Sequence, residues 1–381
     1  MLNRIKRYIK DKKEKRSFFN GYANFMCPGV YVFDDSFTYF YRKNDPAVFR
    51  HLDHNYTKLM LKRCFLRKLT SCLLKIFFLR PVQLEEKKQI GHPGFQGSLF
   101  LIGSQGKEHK VFDLNHNRVL RLYSDRHAFN KKLRLYEQLK TYFLMPSILE
   151  YNSKELYVVE KLISAKHTGQ WSKSDYLDVI LDVFHKETLY LMECKSKKAY
   201  ILKGMQDLLA DLNKNSPIVE FLLSKLSSST LELEFPFVKL HGDLWSSNIL
   251  FGKCVPHEIY YIDWEKSRSY VFFYDLYYLM LNECYIKSNY LYAEKYMDGE
   301  FDKLLEAVYQ IFGMDFEPNR RIDYLYITLL NQYKERWTLK GKNEERKIGK
   351  QWKLIIQRIE EMTDQPGQSK CCRSYLPTPG M

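Results

Sequence analysis

Residues 238–251, VKLHGDLWSSNILF, contain the most informative pattern of this chain. A second informative stretch, IYYIDWEKS, follows at residues 259–267. The first stretch holds His241, Asp243 and Asn248 at tight spacing between two apolar runs. Apolar runs of this length are typical of buried strands, which do not tolerate a polar centre. The pattern therefore predicts a polar loop whose two ends are anchored in neighbouring strands.

A second acid, Asp263, stands inside the apolar run that follows. A hairpin of residues 249–251 against residues 259–262 would bring Asn248 and Asp263 side by side, as oxygen ligands of the kind that Mg²⁺ shares with phosphate groups. Asp243 on the same loop would be placed to accept a proton from an attacking hydroxyl. These are the groups that phosphoryl transfer needs. A hydrolase fits less well, because no serine stands on a nucleophile elbow.

The composition separates a basic beginning from a nearly neutral remainder. Residues 1–90 carry 20 Lys and Arg against 8 Asp and Glu, a net charge of +12, whereas the other 291 residues carry 40 against 37, a net of +3. The whole chain, with 381 residues and 45% hydrophobic residues, exceeds the usual size of one core. We therefore expect two lobes and an extension, and no nucleic acid as a partner of the main domain.

The eight cysteines form no CxxC pair, and the basic start lacks the long apolar core of a signal peptide. This pattern predicts reduced thiols and a cytoplasmic protein. Residues 54–84 contain no acid and mix Lys and Arg with Leu, Phe and Ile. They are read equally well as a basic helix docked on its own protein or as a segment of residues 1–80 that binds an anionic membrane surface peripherally.

The chain reads as four segments. Residues 1–90 form the basic N-terminal extension, with a hairpin about the DDS sequence. Residues 91–163 contain the strand-like runs SLFLIG, EHKVFDL and RVLRLY, a helix and a further strand. Residues 164–362 are mainly helical, and residues 363–381 read as a disordered tail.

HGDLWSSNIL together with YIDWE closely resembles the aminoglycoside phosphotransferase and choline kinase-like superfamily, which has the protein-kinase-like fold. HGDLWS is similar to fructosamine kinases, and IDWE to bacterial choline kinases. The resemblance covers roughly residues 91–360. It implies an α+β, bilobal protein-kinase-like fold with a small antiparallel-sheet N-lobe and a mainly helical C-lobe. It also implies ATP and Mg²⁺ as cofactors, and transfer of a phosphate to a hydroxyl of a small molecule, a sugar or glycan, or an amino-alcohol.

Carried over to this sequence, the resemblance makes Asp243 the catalytic base and Asn248 and Asp263 the metal ligands. His241 would be a structural residue that hydrogen-bonds the backbone of the metal loop. Asp275, in FFYDLYYL, matches the family's structural Asp at the start of a helix.

In the N-lobe, the resemblance places Arg121 where the family has its phosphate-binding Lys. Glu137 in the following helix would be its ion-pair partner, and Lys110 on the preceding strand is a substitute cation. This departure from the family pattern supports an alternative function, a nucleotide-binding pseudokinase-like module with a regulatory or scaffolding role.

The remaining expectations concern the contacts to ATP and to the acceptor. GSQGK, which contains Gly103 and Gly106, would cover the phosphates or form an ordinary hairpin turn. The segment from Glu160 to Leu162 resembles the hinge, whose backbone groups would bind adenine. Trp245 and Glu265 flank the catalytic and metal loops and are the candidate contacts to the acceptor.

Overall fold

A computed structural model describes residues 14–33, 39–51, 81–85, 94–103, 108–210, 212, 216–253, 256–336 and 342–364. The chain divides into two compact units. The first unit comprises Met1–Gln170 and Phe251–Tyr260, and the second comprises Trp171–Leu250 and Tyr261–Met381.

An antiparallel sheet of eight strands forms the first unit, in the order β3-β1-β2-β4-β5-β6-β8-β7. The predicted hairpin is present as β1 and β2, and the three predicted runs are β4, β5 and β6. The strands are β1 (Gly29–Phe33), β2 (Tyr39–Arg42), β3 (Val82–Leu84), β4 (Leu99–Ile102), β5 (Glu108–Asp113), β6 (Arg118–Tyr123), β7 (Ile148–Asn152) and β8 (Tyr157–Lys161).

The two faces of this sheet differ in chemistry, because successive side chains of a strand point to opposite sides. Leu120 and Leu122 of β6 lie on an aromatic-rich face, whereas Val119 and Arg121 lie on a face that mixes apolar and charged groups. The helix α1, described over residues 14–21, packs on the aromatic face. The helix α2, residues 46–51, packs on the other face.

The N-terminal segment is part of this sheet, which corrects the predicted division between residues 1–90 and 91–163. Strand β2 pairs with β4, and Phe19 of α1 is fully buried against the aromatic face. The backbone of Cys27 donates to Gly97 at 2.9 Å. The excess of basic charge marks this segment in the sequence, yet its buried aromatic side chains hold it to the sheet. The first unit also extends to Gln170, past the predicted end at residue 163.

One longer helix of the first unit, α3 (Arg126–Leu139), was expected from its periodicity. It begins at Asp125, whose carboxylate accepts a hydrogen bond from the backbone of Ala128 at 2.8 Å. A cap of this kind satisfies one of the unpaired N–H groups at a helix start. The helix buries Phe129, Leu135 and Leu139.

The second unit is mainly helical, as predicted, so the α+β fold class is confirmed. A small sheet joins β10 (Ile201–Gly204), β11 (Glu234–Leu240) and β14 (Arg268–Val271). The helices are α4 (Lys173–Ser196), α5 (Met205–Ala210), α6 (Pro217–Lys225), α7 (Ser228–Leu231), α8 (Tyr274–Lys287), α9 (Leu291–Met297), α10 (Asp302–Gln310), α11 (Arg321–Arg336) and α12 (Lys342–Asp364).

Helix α8 lies in the core of this unit. Every side chain from Tyr274 to Cys284 is buried, so the helix is enclosed on all sides. Helix α4 begins at Ser172 in a capping box with Asp175.

Three short strands lie where the chain passes between the units. Strand β12 (Ile249–Gly252) has β13 (Ile259–Tyr261) on one side and β9 (Ala165–Lys166) on the other. Residues 365–381 and most of the basic stretch 54–84 lie outside the described residues, so the predicted tail and membrane-binding segment have no structural test. None of the helices in the described ranges has the length and apolar character needed to cross a bilayer.

Replacing Phe19 by Ala tests whether the N-terminal segment stabilises the first unit. Phe19 is fully buried and stacks on Phe40 with ring centroids 4.3 Å apart. We expect the free energy of unfolding to fall by about 3 kcal/mol, the usual cost of an aromatic-to-Ala change in a core. Phe18, on the same helix but 40% exposed, is the matched control and should cost far less. Equal denaturant midpoints for the two variants would contradict the packing of this segment.

Candidate active site

The loop after β11 is held by a single carboxylate. Asp275, at the start of α8, accepts the backbone N–H of His241 at 2.6 Å and that of Gly242 at 2.9 Å. Asp275 is 2% exposed. A buried carboxylate that accepts two N–H groups fixes the path of the loop firmly, because charged hydrogen bonds are about twice as strong as neutral ones. This contact matches the structural support that the resemblance implied for Asp275.

Gly242 is required by both conformation and space. Its φ angle of 74° lies in the left-handed region, which other residues rarely adopt. A Cβ atom at this position would also lie 2.3 Å from the ring of Tyr270. The HGD sequence therefore needs its central glycine to reach Asp275.

The imidazole of His241 links the two halves of the motif. Its Nδ1 lies 3.2 Å from the backbone N–H of Asp243 and accepts from it, which leaves Nε2 as the donor to the carbonyl of Ile262 at 2.8 Å. The ring also packs on Trp264, with centroids 4.4 Å apart. His241 thus contacts the backbone next to Asp263, in the position expected of a structural residue.

Asp243 is half-buried and receives a hydrogen bond that the sequence did not suggest. The hydroxyl of Tyr278 donates to its Oδ1 at 2.9 Å. Tyr278 stacks on Tyr274, which stacks in turn on Tyr270, with ring centroids 5.2 Å and 4.2 Å apart. The four-residue spacing of Tyr274 and Tyr278 is the available signal, since it places these two tyrosines on one side of α8.

Asn248 and Asp263 lie on adjacent backbone segments. The N–H of Ile262 donates to the carbonyl of Asn248 at 3.0 Å, within the hairpin that the sequence predicted. The amide nitrogen of Asn248 donates to the carbonyl of Asp243 at 2.8 Å, so its remaining ligand atom is the amide oxygen. Asp263 has a φ of 61°, a left-handed conformation for a residue that is not glycine. Two oxygen-bearing side chains, one on a strained backbone, fit a divalent cation.

The proposed acceptor contacts differ in burial. Trp245 is half-buried where the loop turns, and Glu265 is exposed in the turn after Asp263. Trp264, by contrast, is 4% exposed and packs on His241, so it is a core residue.

Ser246 joins the loop to a second buried acid. Both its backbone N–H and its hydroxyl contact Glu283, which is fully buried in α8, and Lys287 also contacts the hydroxyl. Burial raises the pKa of Glu283 and lowers that of Lys287. The Lys287 ammonium lies 5.6 Å from the ring centroid of Trp171. The sequence did not single out these residues, because serine and lysine are ordinary in loops and at helix ends.

Glu187 of α4 is an unusual buried acid. It is 1% exposed, and within the described ranges its Oε2 has no hydrogen-bond partner. Burial raises its pKa well above the ordinary value, and the negative charge of Asp275 raises it further. Burial therefore shifts this carboxyl toward its protonated form relative to the unfolded chain.

A cluster of charged side chains surrounds Arg121 on one face of the sheet in the first unit. The guanidinium of Arg121 donates to Glu160 at 2.6 Å and to Glu108 at 2.7 Å, and the Arg121 side chain is 6% exposed. Lys132 of α3 also pairs with Glu160, and Lys110 lies 3.9 Å from Glu108. Burial by itself would raise the pKa of Glu160, but the charges of Arg121 and Lys132 outweigh it and the pKa is lowered.

These contacts correct the predicted partner of Arg121. Glu137 lies on the solvent side of α3 with its side chain 64% exposed, and it pairs with Lys140 at 2.6 Å. The helical residue that faces the sheet is Lys132, three positions after the buried Phe129. The 3.6-residue period of α3 therefore predicts Lys132 on its buried side and Glu137 on its exposed side.

Residues of the predicted phosphate loop and hinge make contacts within the first unit itself. A Cβ atom on Gly103 would lie 1.6 Å from the carbonyl oxygen of Glu108, so this glycine is needed for strand approach, and Gly106 lies outside the described residues. Glu160 presents its side chain to Arg121. The N–H of Leu162 donates to the carbonyl of Asn117 at 2.7 Å, so this hinge group is already bonded.

Several solved structures are similar to this chain. A choline kinase from Streptococcus pneumoniae has 14% identity and a TM-score of 0.37, covering 79% of this chain and 99% of that one. An aminoglycoside phosphotransferase in complex with ADP and hygromycin B has 12% identity and a TM-score of 0.44, covering 71% and 95%. An ethanolamine kinase from Plasmodium vivax has 13% identity and a TM-score of 0.32, covering 69% and 83%.

These proteins are kinases of small molecules, as the resemblance of residues 238–267 predicts. No protein-family model matches the chain, and no curated protein matches it.

Replacing Glu187 by Gln should make stability less sensitive to alkaline pH. A carboxyl with a raised pKa stabilises the fold below its unfolded pKa of about 4.3, and this contribution is lost as pH rises through the folded pKa. The Gln variant carries no such titration, so its melting temperature should exceed that of wild type at pH 8 more than at pH 5. Glu193→Gln on the same helix is the control, since Glu193 is a third exposed and pairs with Lys197. A parallel decline for wild type and the Glu187 variant would contradict the raised pKa.

Proposed function

We propose that the protein is an ATP- and Mg²⁺-dependent phosphotransferase that moves the γ-phosphate of ATP to a hydroxyl of a small molecule. The observation that carries this proposal is the loop of residues 241–248. It carries the half-buried carboxylate of Asp243 and the amide of Asn248, and the backbone of Asn248 is hydrogen-bonded to Ile262, the residue before Asp263. Phosphoryl transfer depends on positioning and on stabilising charge, and these groups supply both.

Asp243 is the proposed general base. The hydroxyl of Tyr278 donates to Oδ1 of Asp243 and orients the carboxylate, which is assigned to accept the proton of the acceptor hydroxyl. The hydroxyl oxygen then forms a bond to the γ-phosphorus while the bond to the bridging oxygen of ADP breaks. Tyr278 has a positioning role here, because it contacts the carboxylate and not the reacting atoms.

Asn248 and Asp263 are the proposed holders of Mg²⁺, through the amide oxygen and the carboxylate. When bound, this cation neutralises phosphate charge. His241 supports the pair by holding the backbone at Ile262, one residue before Asp263.

Trp245 and Glu265 are the proposed contacts to the acceptor. An aromatic ring and an exposed carboxylate suit an amino-alcohol, whose cation binds to aromatic faces and acids. The same pair can hold a sugar or glycan by stacking and hydrogen bonding. Both classes therefore belong in a first acceptor screen.

The second candidate function is a non-catalytic nucleotide-binding module. One feature favours it: Arg121 stands where the resemblance expects the phosphate-binding Lys, and its guanidinium is held between Glu108 and Glu160. Such a module binds ATP without releasing ADP when an acceptor is added. Acceptor-dependent ADP release by wild type across a panel of amino-alcohols and sugars separates the two functions.

Asp243→Asn should abolish transfer while leaving ATP binding intact. The amide keeps an oxygen for the Tyr278 hydroxyl but cannot accept the acceptor proton, so we expect kcat to fall by roughly 100-fold or more. Coupled ADP release measures the rate, and calorimetric titration measures ATP affinity. Ser247→Ala, an exposed change in the same loop, is the control. Wild-type activity in the Asn variant would eliminate Asp243 as the base.

Asp263→Gly should weaken Mg²⁺ binding and lower stability less than Asp263→Ala does. Glycine adopts the left-handed backbone of this position without strain, so the ligand is lost while the loop keeps its path. We expect a higher Mg²⁺ concentration for half-maximal activity and a melting temperature above that of the Ala variant. Asp263→Ala loses the same ligand but adds about 1 kcal/mol of strain, which lowers the melting temperature as well. An unchanged Mg²⁺ titration in both variants would remove Asp263 from the metal site.

A further inference from the structure

The proposed function requires a place for ATP on the first unit, and the predicted contacts are Leu162 for the base and Arg121 for the phosphates. ATP bound in this way lies across Val119, which is two residues before Arg121 on the same face of the sheet. Phe112 and Glu160 are the register partners of Val119 on the neighbouring strands. The apolar surface for the base is therefore formed by Val119, Phe112 and Leu162.

This surface is already covered by a segment of the same chain. Val48 of α2 is fully buried in one cluster with Tyr39, Phe112 and Val119, and Leu162 packs against that cluster. Val119 is 7% exposed and Phe112 9% exposed. The ring of His51, also in α2, lies 5.3 Å from the ring of Phe112.

Among the described residues 45–51 of the covering segment, Val48 is the one that is buried. Helix α2 is described over one and a half turns, and its start is capped by Asp45, which accepts from the N–H groups of Ala47 at 3.0 Å and Val48 at 3.4 Å. Its side chain Phe49 is 42% exposed. Segments with few buried side chains open at a lower free energy than the core strands around them.

We propose that residues 45–51, named here the cover segment, are an autoinhibitory element that ATP must displace to reach its site. This inference rests on the proposed function, since it assigns regulation to the same nucleotide site. Displacement exposes Val119 and Phe112 to the base. The N–H of Leu162 must also exchange its bond to Asn117 for one to the nucleotide.

The cover segment sets the apparent affinity for ATP. When only a fraction of molecules has the site uncovered, the apparent dissociation constant is the intrinsic one divided by that fraction. Any change that loosens the segment, without touching the sheet, therefore tightens ATP binding.

Two variants of the full chain test the proposal by calorimetric titration with Mg²⁺ and ATP. Asp45→Ala removes the helix cap, and we expect the dissociation constant to fall about fivefold. Val48→Asp places a carboxylate in the apolar cluster and should lower it further. Asn152→Ala is the matched control, because Asn152 likewise accepts from two backbone N–H groups in the first unit, at 2.8 Å and 3.1 Å, in a turn away from α2. Its affinity should equal that of wild type.

Hydrogen exchange supplies a readout that does not depend on the variants folding equally well. In wild type, added Mg²⁺ and ATP should speed exchange at residues 45–51. Slower exchange there, or equal ATP affinity in wild type and both variants, overturns the cover segment and leaves the phosphotransferase proposal standing. If wild type and both variants fail to bind ATP, the proposed function falls, and the cover segment falls with it.

Discussion

The candidate catalytic loop depends on one buried carboxylate at the start of a buried helix. Asp275 receives the N–H groups of His241 and Gly242, while two tyrosines of the same region complete the fit. Tyr270 fills the space that a side chain at Gly242 would need, and Tyr278 holds the carboxylate of Asp243. Because α8 is enclosed on all sides, Asp275 cannot move without disturbing the core, and the loop inherits the rigidity of that core.

The centre of this site could be predicted from the sequence because its parts are close together along the chain. Asn248 and Asp263 meet through a short hairpin, and the alternation of apolar and polar residues defines such a hairpin locally. Tyr278 and Glu283 reach the loop only through the packing of α8. The four-residue spacing of Tyr274 and Tyr278 places both rings on one side of α8 but does not say which element that side contacts, and nothing in the immediate sequence distinguishes Glu283. Their contacts with the loop are therefore visible only in the three-dimensional structure.

The first unit was predicted less completely, for two physical reasons. Strand positions in β4, β5, β6 and β8 follow from periodicity, but the acids that meet Arg121, Glu108 and Glu160, reach it only through the pairing of these strands. In α3, Lys132 faces inward and Glu137 faces solvent, so the family resemblance misplaced the ion pair. The N-terminal segment was judged by its charge, whereas its place in the sheet is decided by buried aromatic rings such as Phe19 and Phe40.

The pairing of β9 with β12 makes the first unit discontinuous along the chain. Lys166 lies opposite Phe251, and Ala165 lies opposite Gly252, so the strand that pairs with β9 is reached only after the chain has passed through part of the second unit. A cut at a single position cannot yield either unit whole, and a recombinant fragment ending near Gln170 lacks the partner of β9. During synthesis, β9 is made long before β12, so the first unit is completed only after residues 238–248 have been made.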